Sequence, residues 1–258
     1  MNRISIITIC FNNLEELQKT CVSVDAQLMQ PDEHIIIDGS TKPDIKSWLE
    51  NDPQPTYRKW ISERDKGIAD AFNKGVKKAT GDILSHLNSG DELYDETVLQ
   101  RVSGTFEKDT SLMWINGQLK LLRGGIWVIA GVPFEKKKLY RGMRSVFHPT
   151  MYVRKEVFDR RGMFDVELKS AMDYDFLCRI ADEKNAFLNY PLAIFDPTGI
   201  SNTGWMFSRK EADASYRKYY GPSIKQTVWT MRMILLHKLM KNPLGKLLYR
   251  IKVKLSKA

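Results

Sequence analysis

The chain has 258 residues, 43% of them hydrophobic and 28% charged, enough for one large α/β domain with a real core or two small ones. Its three cysteines, Cys10, Cys21 and Cys178, are odd in number and lack C-x-x-C spacing; this argues against a disulfide framework or zinc site and makes a reducing cytosol the expected compartment. The net charge of +9 sits at one end: nine Lys and Arg and no Asp or Glu fall in 224–258, which leaves 31 basic against 31 acidic residues elsewhere. A fold that grips nucleic acid needs cations on its body, so no nucleic-acid partner is expected, and the excess reads as a separate cationic appendage. Neither a signal-peptide pattern at the start nor an 18-residue apolar run occurs, so no leader and no membrane span are expected.

Ile4 to Ile9 is rich in β-branched residues and reads as a central strand. Asn12 or Asn13 is placed to cap a helix in which Leu14, Leu17, Cys21, Val24 and Leu28 share one face. Beyond Pro31, His34 to Ser40 reads as a second buried strand ending in an acid and a glycine; Ile45 to Glu50 is a short helix and Tyr57 to Ser62 a third strand. Ile68, Ala71, Phe72, Gly75, Val76 and Ala79 then recur at helical period as one buried face, with Gly81 as the stop. Ile83 to Leu87 is a short buried strand that delivers Asn88-Ser89-Gly90-Asp91-Glu92 at its C-terminal end, the edge at which open α/β sheets bind ligands. The β-α-β-α-β-α-β order predicts a parallel, doubly wound sheet. No G-x-G-x-x-G follows the first strand and no G-x-x-x-x-G-K-[ST] occurs, which argues against a dinucleotide dehydrogenase and a P-loop enzyme.

The second half changes texture. Val98, Leu99, Val102 and Phe106 suggest a helix, and Leu112 to Leu122, Arg123-Gly124-Gly125 and Ile126 to Ala130 a hairpin. Gly131 to Val146 is an irregular basic loop, of a length that is usually functional or mobile. After Phe147-His148-Pro149-Thr150, a helix opens at Asp173 with Phe176, Leu177, Ile180 and Ala181 on its apolar face. Ala186 to Phe195 is a last strand, Arg209 to Tyr220 a polar helix, and Gly221-Pro222 the boundary with the tail.

The run D-K-G-I-A-D-A-F-N-K-G, followed by A-T-G-D and L-N-S-G-D, resembles glycosyltransferase family 2, the nucleotide-sugar-dependent enzymes of the GT-A fold. The likeness covers about residues 4–205 and is also carried by S-I-I-T-I-C-F-N, I-I-D-G-S and A-M-D-Y-D-F. It implies a Rossmann-like, mostly parallel sheet, with a donor half at about 1–95 and an acceptor half at about 96–221; the basic tail at 222–258, read from its charge, lies beyond the likeness. It further implies an inverting transfer from a UDP- or GDP-sugar to a saccharide or lipid-linked saccharide, as in bacterial surface-polysaccharide assembly. Asp38 and the strand-one loop around Thr8 would bind the nucleotide, Asp70 and Gly90 would border the donor, and Asp91 would hold Mg²⁺ or Mn²⁺. Asp173 would be the base, and His148 would contact the acceptor.

Each residue also has a structural reading. Asp38 fits a strand-to-turn residue, Asp91 a helix cap, Asp70 a solvated helix acid, and Asp173 and Asp175 acids at a helix N-terminus. His148 fits a packed histidine, and Trp205 either core or a sugar platform. The sequence departs from the family pattern at Asn88, which leaves one carboxylate in the D-x-D window, and at Met172, where the family has Glu before the base. These departures support a rival reading as a catalytically inactive cationic binding protein. A sugar nucleotidyltransferase is the rival enzyme, weakened by the lack of Gly, Lys or Arg between the first strand and Lys19.

In the tail, helical projection gathers Val228, Trp229, Met233, Leu235, Leu236, Leu239 and Met240 on one side, with Arg232 as a misfit. Gln226, Thr230, His237, Lys238 and Lys241 gather opposite, and Leu244, Leu247, Leu248, Ile251 and Leu255 form a second seam. Two basic amphipathic helices with a tryptophan fit binding to an anionic membrane surface, here the cytoplasmic face of the cell membrane. The alternative is that one seam packs on the body.

Overall fold

The computed structural model describes residues 2–123, 125–195, 204–240 and 245. Its first part alternates as the sequence predicts: β1 (Ile4–Cys10), α1 (Leu14–Asp25), β2 (Glu33–Asp38), α2 (Asp44–Asn51), β3 (Arg58–Ser62), α3 (Ile68–Lys78) and β4 (Ile83–His86). These strands lie in the order β3-β2-β1-β4 and all pair in parallel. Helices cover both faces of this part, so Ile4, Ile6, Ile7 and Ile35 to Ile37 are all buried and the strands read as continuous apolar runs.

The chain continues through β5 (Glu92–Leu93), α4 (Val98–Lys108), β6 (Trp114–Arg123), β7 (Ile126–Ala130), 3₁₀ turns at Lys136–Arg141 and His148–Thr150, β8 (Tyr152–Arg154) and α5 (Lys155–Arg161). Then come α6 (Met172–Ile180), β9 (Asn185–Phe195), α7 (Trp205–Tyr220) and α8 (Ile224–Met240). The same sheet extends past β4 as β8-β6-β9-β5, with β7 as a hairpin on β6. β8 is antiparallel to both neighbours, β6 and β9 are parallel, and β5 returns antiparallel. The parallel order thus belongs to the N-terminal part of the sheet, and the part built after β4 is mixed.

Four local expectations are corrected. Leu28 lies beyond the end of α1 and is exposed, so it is not part of that helix's buried face. Asn13 precedes α1 without capping it; its Oδ1 accepts the Phe11 N–H at 3.0 Å. Gly81 does not stop α3, whose last turn closes at Ala79; a Cβ at Gly81 would come within 2.4 Å of Ser5 Oγ, so the glycine permits close approach to β1.

The fourth correction concerns the tail. Gln226, on the side expected to be polar and outward, is buried against Asp213 of α7, and Thr230 beside it donates to the same carboxylate at 2.9 Å. Trp229 turns inward with them, and His237 stacks on Trp205 at 4.5 Å. Ile224, Val228, Met231, Leu235, Leu236 and Leu239 face outward, 41–85% exposed. The second seam from Leu244 and the stretch Thr198 to Thr203 lie outside the described residues, apart from Gly245.

Candidate functional site

One side of the candidate site is built on three strand ends. Cys10, Asp38 and Ser62 are register partners across β1, β2 and β3. The Asp38 carboxylate is buried; one oxygen accepts the Ser40 N–H at 3.0 Å and the other the Ser62 hydroxyl at 2.7 Å. Cys10 Sγ makes a further, weak contact with Oδ1 at 3.8 Å, and the two carboxyl oxygens keep acceptor capacity beyond these. Asn12 has φ +54°, the one positive φ at a non-glycine among the described residues, in a region that asparagine tolerates. Its N–H donates to Ser40 Oγ at 2.8 Å, and its Oδ1 accepts the N–H groups of Thr41 and Lys42 at 3.1 and 3.0 Å. Asn12 therefore locks the loop after β1 to the loop after β2.

The loop before α3 lies against this edge. A Cβ at Gly39 would sit 2.0 Å from Asp65 Oδ2, so only glycine lets Asp65 approach. Lys74 draws together Asp65 at 2.9 Å, Glu63 at 3.0 Å and Asp70 at 3.7 Å. Burial raises the Asp65 carboxyl, Lys74 opposes this, and Asp70 and Asp38 add to the rise. Asp70, in the first turn of α3, also accepts the Lys66 N–H at 3.0 Å, so it is an engaged helix acid and not simply a solvated one. Asp65 was not among the predicted site residues; its signal was the D-K-G string itself. Such an acidic edge accepts hydrogen bonds from imide N–H and sugar hydroxyl groups but repels a diphosphate, which needs a cation to rest there.

Thr8 does not reach this edge. It is fully buried in mid-strand, with Oγ1 2.9 Å from His34 Nε2. Arg58 Nε donates to His34 Nδ1 at 3.3 Å, so Nε2 carries the proton and donates to Thr8. Thr8 thus supports the strands, and the expectation that it touches the donor is replaced by this internal role.

Past β4 the chain keeps following β1: the N–H groups of Leu87 and Ser89 donate to the carbonyls of Ile7 and Ile9 at 2.9 and 3.2 Å. Asp91 N–H then donates to Asn88 O at 2.9 Å, closing the turn, with Gly90 at φ +99°. Thr20 of α1 clamps it, accepting the Gly90 N–H at 2.9 Å and donating to Asp91 O at 2.7 Å. Gly90 is therefore a hinge-pin of the turn, its amide already engaged. The side-chain oxygens of Asn88 and Ser89 are buried and without a hydrogen-bond partner. Together with the Asp91 carboxylate, 3% exposed, they form a set of hard oxygen donors that fits Mg²⁺ or Mn²⁺. Among the described residues no group of three or more His, Cys, Asp or Glu could hold a metal by itself. The donor set would have to be completed by oxygens from outside the protein.

The other side of the candidate site is a small aromatic cavity lined by His86, His148, Phe158, Phe164, Phe176 and Asp173 among others. His86 ends β4, two residues before the N-S-G-D turn, so it joins the two sides. The His86 and His148 rings lie 5.6 Å apart and both pack on Phe72 of α3, at 4.7 and 4.9 Å. Burial holds both neutral, His148 at about 4 and His86 well below the usual range. His148 is thus both a packed histidine and a cavity wall. Asp173 lies in the first turn of α6, and Tyr174 N–H donates to its Oδ1 at 2.7 Å. Burial pushes its carboxyl up to about 6, against the pull of the N–H groups of Tyr174 and of Asp173 itself. Asp175 is structural: its Oδ2 accepts from Arg179 at 3.0 Å, and Arg179 ties the end of α5 to α6 through the carbonyls of Arg161, Gly162 and Met163. Sequence reasoning missed His86, whose signal was one polar ring in the apolar run I-L-S-H-L.

The profile of Glycosyl transferase family 2 matches residues 5–161. An uncharacterized glycosyltransferase of Mycobacterium tuberculosis is 33% identical over 204 residues, which is 77% of this chain and 77% of that protein. Staphylococcus aureus TarS 1–349, solved in complex with UDP-GlcNAc, is similar in fold with a TM-score of 0.64 and 14% identity, over 90% of this chain and 71% of that one. The mannosyltransferase PcManGT of Pyrobaculum calidifontis, solved with GDP-Man and Mn²⁺, has a TM-score of 0.59 and 14% identity over 100% of this chain and 81% of that one. The chain belongs to glycosyltransferase family 2, its fold is GT-A, and it is a glycosyltransferase.

Proposed function

We propose that this glycosyltransferase moves a sugar, with inversion, from a UDP- or GDP-sugar to a saccharide or lipid-linked saccharide in cell-surface glycan synthesis. The observation that carries the reading is Asp173: a carboxyl raised to about 6, lining a cavity shared with His86 next to the N-S-G-D turn. A carboxylate is too weak a base to ionise an alcohol beforehand, so Asp173 takes the acceptor proton as the hydroxyl oxygen attacks the anomeric carbon. The raised value strengthens the base while leaving it ionised at neutral pH. Asp38 and Asp65 receive hydrogen bonds from the nucleoside, and Asp70 borders the donor. Asp91, with the oxygens of Asn88 and Ser89, would hold Mg²⁺ or Mn²⁺ beside the donor diphosphate. When bound, the ion neutralises charge developing on the leaving diphosphate. Neighbours solved with UDP-GlcNAc or with GDP-Man and Mn²⁺ support this reading.

We also propose that the basic tail rests on the anionic inner face of the cell membrane. Among the described residues no helix is long and apolar enough to cross a membrane, and α8 turns apolar side chains outward. The function is tested by release of nucleoside diphosphate from UDP- and GDP-sugars with and without Mn²⁺, in wild type and Asp91→Ala. Metal-stimulated release that Asp91→Ala abolishes supports the assignment; equal release by both removes Asp91 from the metal site.

A further inference from the structure

His86 is 4% exposed, and its Nε2 is buried with no hydrogen-bond partner. The ring is otherwise fixed: Phe72 and Phe164 pack edge-on against it at 4.7 and 5.1 Å. Burial and the neighbouring His148 hold it neutral, and a bond to the Phe72 backbone pulls the other way. A bond that favours the charged form is one the ring donates. Since Nε2 has no partner, the donor is Nδ1, and the lone pair of the neutral imidazole sits on Nε2. With Nδ1 turned to α3, Nε2 points away from that helix, toward the cavity that His86 lines together with Asp173. A ring nitrogen left bare in the interior costs about 1–3 kcal/mol, and phenylalanine would fill the same aromatic nest without that cost. The nitrogen is accounted for by a donor that comes to it from outside the chain.

The cavity selects which donor. Asp173 and His148 are half-buried and stand at its mouth, while His86 lies at its floor. Between floor and mouth there is room for one water-sized group. The Asp173 carboxylate and His86 Nε2 both accept, so whatever fills this space must bring hydrogens to two places. A water molecule brings both. A saccharide that displaces the water brings both only through two hydroxyls, one at the mouth whose proton passes to Asp173 and one in the cavity bonded to Nε2. The depth of one water sets the two oxygens about 2.8 Å apart, as on adjacent carbons. We infer that the acceptor is a vicinal diol, its reacting hydroxyl flanked by a second free hydroxyl, and that His86 selects it by accepting a hydrogen bond from that second hydroxyl. This rests on the reading of Asp173 as base and names the class of acceptor that the base serves. A flanking position that is deoxy leaves Nε2 bare, and one already methylated or glycosylated does not fit the cavity.

The test gives the full chain UDP- and GDP-sugars with Mn²⁺ and follows release of nucleoside diphosphate as cis-cyclohexane-1,2-diol or cyclohexanol is added. The wild type responds to the diol, by acceleration or inhibition, at a concentration on the order of tenfold below that needed of cyclohexanol, the effect of one buried hydrogen bond. In wild type carrying isotope-labelled histidine, the diol shifts the NMR signal of the bare His86 nitrogen and cyclohexanol does not. His86→Phe keeps the aromatic packing, melts no lower than wild type because an unpartnered polar atom is gone, and responds to the two alcohols alike. His86→Gln, which returns an acceptor oxygen, regains part of the preference. If wild type responds to both alcohols alike, if His86→Phe keeps the preference, or if the His86 signal ignores the diol, the diol site is overturned and His86 is a packed histidine, while the role of Asp173 stands. If no donor releases nucleoside diphosphate, the transfer reading falls, and the His86 signal decides the diol site by itself.

Discussion

A carboxyl that titrates near 6 leaves two separate signatures at Asp173. In the proposed role as base Asp173 must be ionised, so transfer should fall tenfold per pH unit below about 6 and level off above it. Asp173→Asn should bind the donor normally and lose roughly 10²–10⁴-fold in transfer at pH 7.5, with the acidic limb gone. Stability moves the other way. Between the ordinary carboxyl value of 3.8 and about 6 the native state holds a proton that the unfolded chain has released. Native stability therefore falls as pH rises through that window, and the penalty is complete above it. At pH 7.5 the neutral Asp173→Asn variant should be about 2 kcal/mol more stable, a figure reduced for the partial exposure of the side chain. A variant that is inactive and less stable would return Asp173 to a helix-dipole role. Thr8 makes the contrasting prediction: Thr8→Val leaves the His34 N–H unpaired in the core, costing about 1–3 kcal/mol, with the donor KM unchanged. Denaturant melts and donor saturation curves separate the two roles.

At the scale of elements, α3 shows what a motif string encodes. Along D-A-F-N-K-G, Asp70 receives the Lys66 N–H, Ala71 and Phe72 enter the core, Lys74 gathers three acids, and a Cβ at Gly75 would meet Ile7 Cγ2 at 2.2 Å. Asn73 exchanges two hydrogen bonds of 2.9 Å with the backbone of Phe164, a wall of the aromatic cavity proposed to take the acceptor. Asn73→Ala should cost about 2–3 kcal/mol and raise the acceptor KM more than the donor KM, because it frees the Phe164 segment and not the strand ends. Equal changes in both KM values would mean that α3 holds the whole site and not that wall. The N-terminal half was legible because β1, β2 and β4 are short runs buried on both faces and each delivers polar residues at its C-terminal end. The second half was not. β8 has three residues and β5 two, so their places in the sheet come from pairings with β4, β6 and β9 that no local pattern announces. Thr8 was misplaced for a related reason: alternation along a strand does not reveal that a hydroxyl's partner is a buried histidine one strand away.

The whole molecule is where the sequence was most misleading about the tail. A helical projection separates apolar from polar side chains but cannot tell which side finds a partner on the body. Here the partner is Asp213, 9% exposed and held by Arg209, which makes Gln226 and Thr230 the docking residues and leaves the apolar stripe outside. The Trp229 bond to Arg141 then links α8 to a loop whose next fixed point is Tyr174, adjacent to Asp173. Removing the tail is therefore two different operations. A chain ending after Met240 keeps the Asp213 bonds and the Trp229 contact, and should match the full chain in melting temperature and in KM for both substrates, while its affinity for anionic vesicles falls with the lost cations. A chain ending at Gly221 loses the Gln226 and Thr230 bonds to a buried carboxylate, worth about 2–4 kcal/mol together. At this size that lowers the melting temperature by roughly 4–16 °C. It also loosens the 139–142 loop behind Tyr174, so the acceptor KM should rise and the donor KM hold. Identical melting and kinetics for the two truncated chains would show that α8 is only tethered to the body and that its contact with the loop carries nothing to the base.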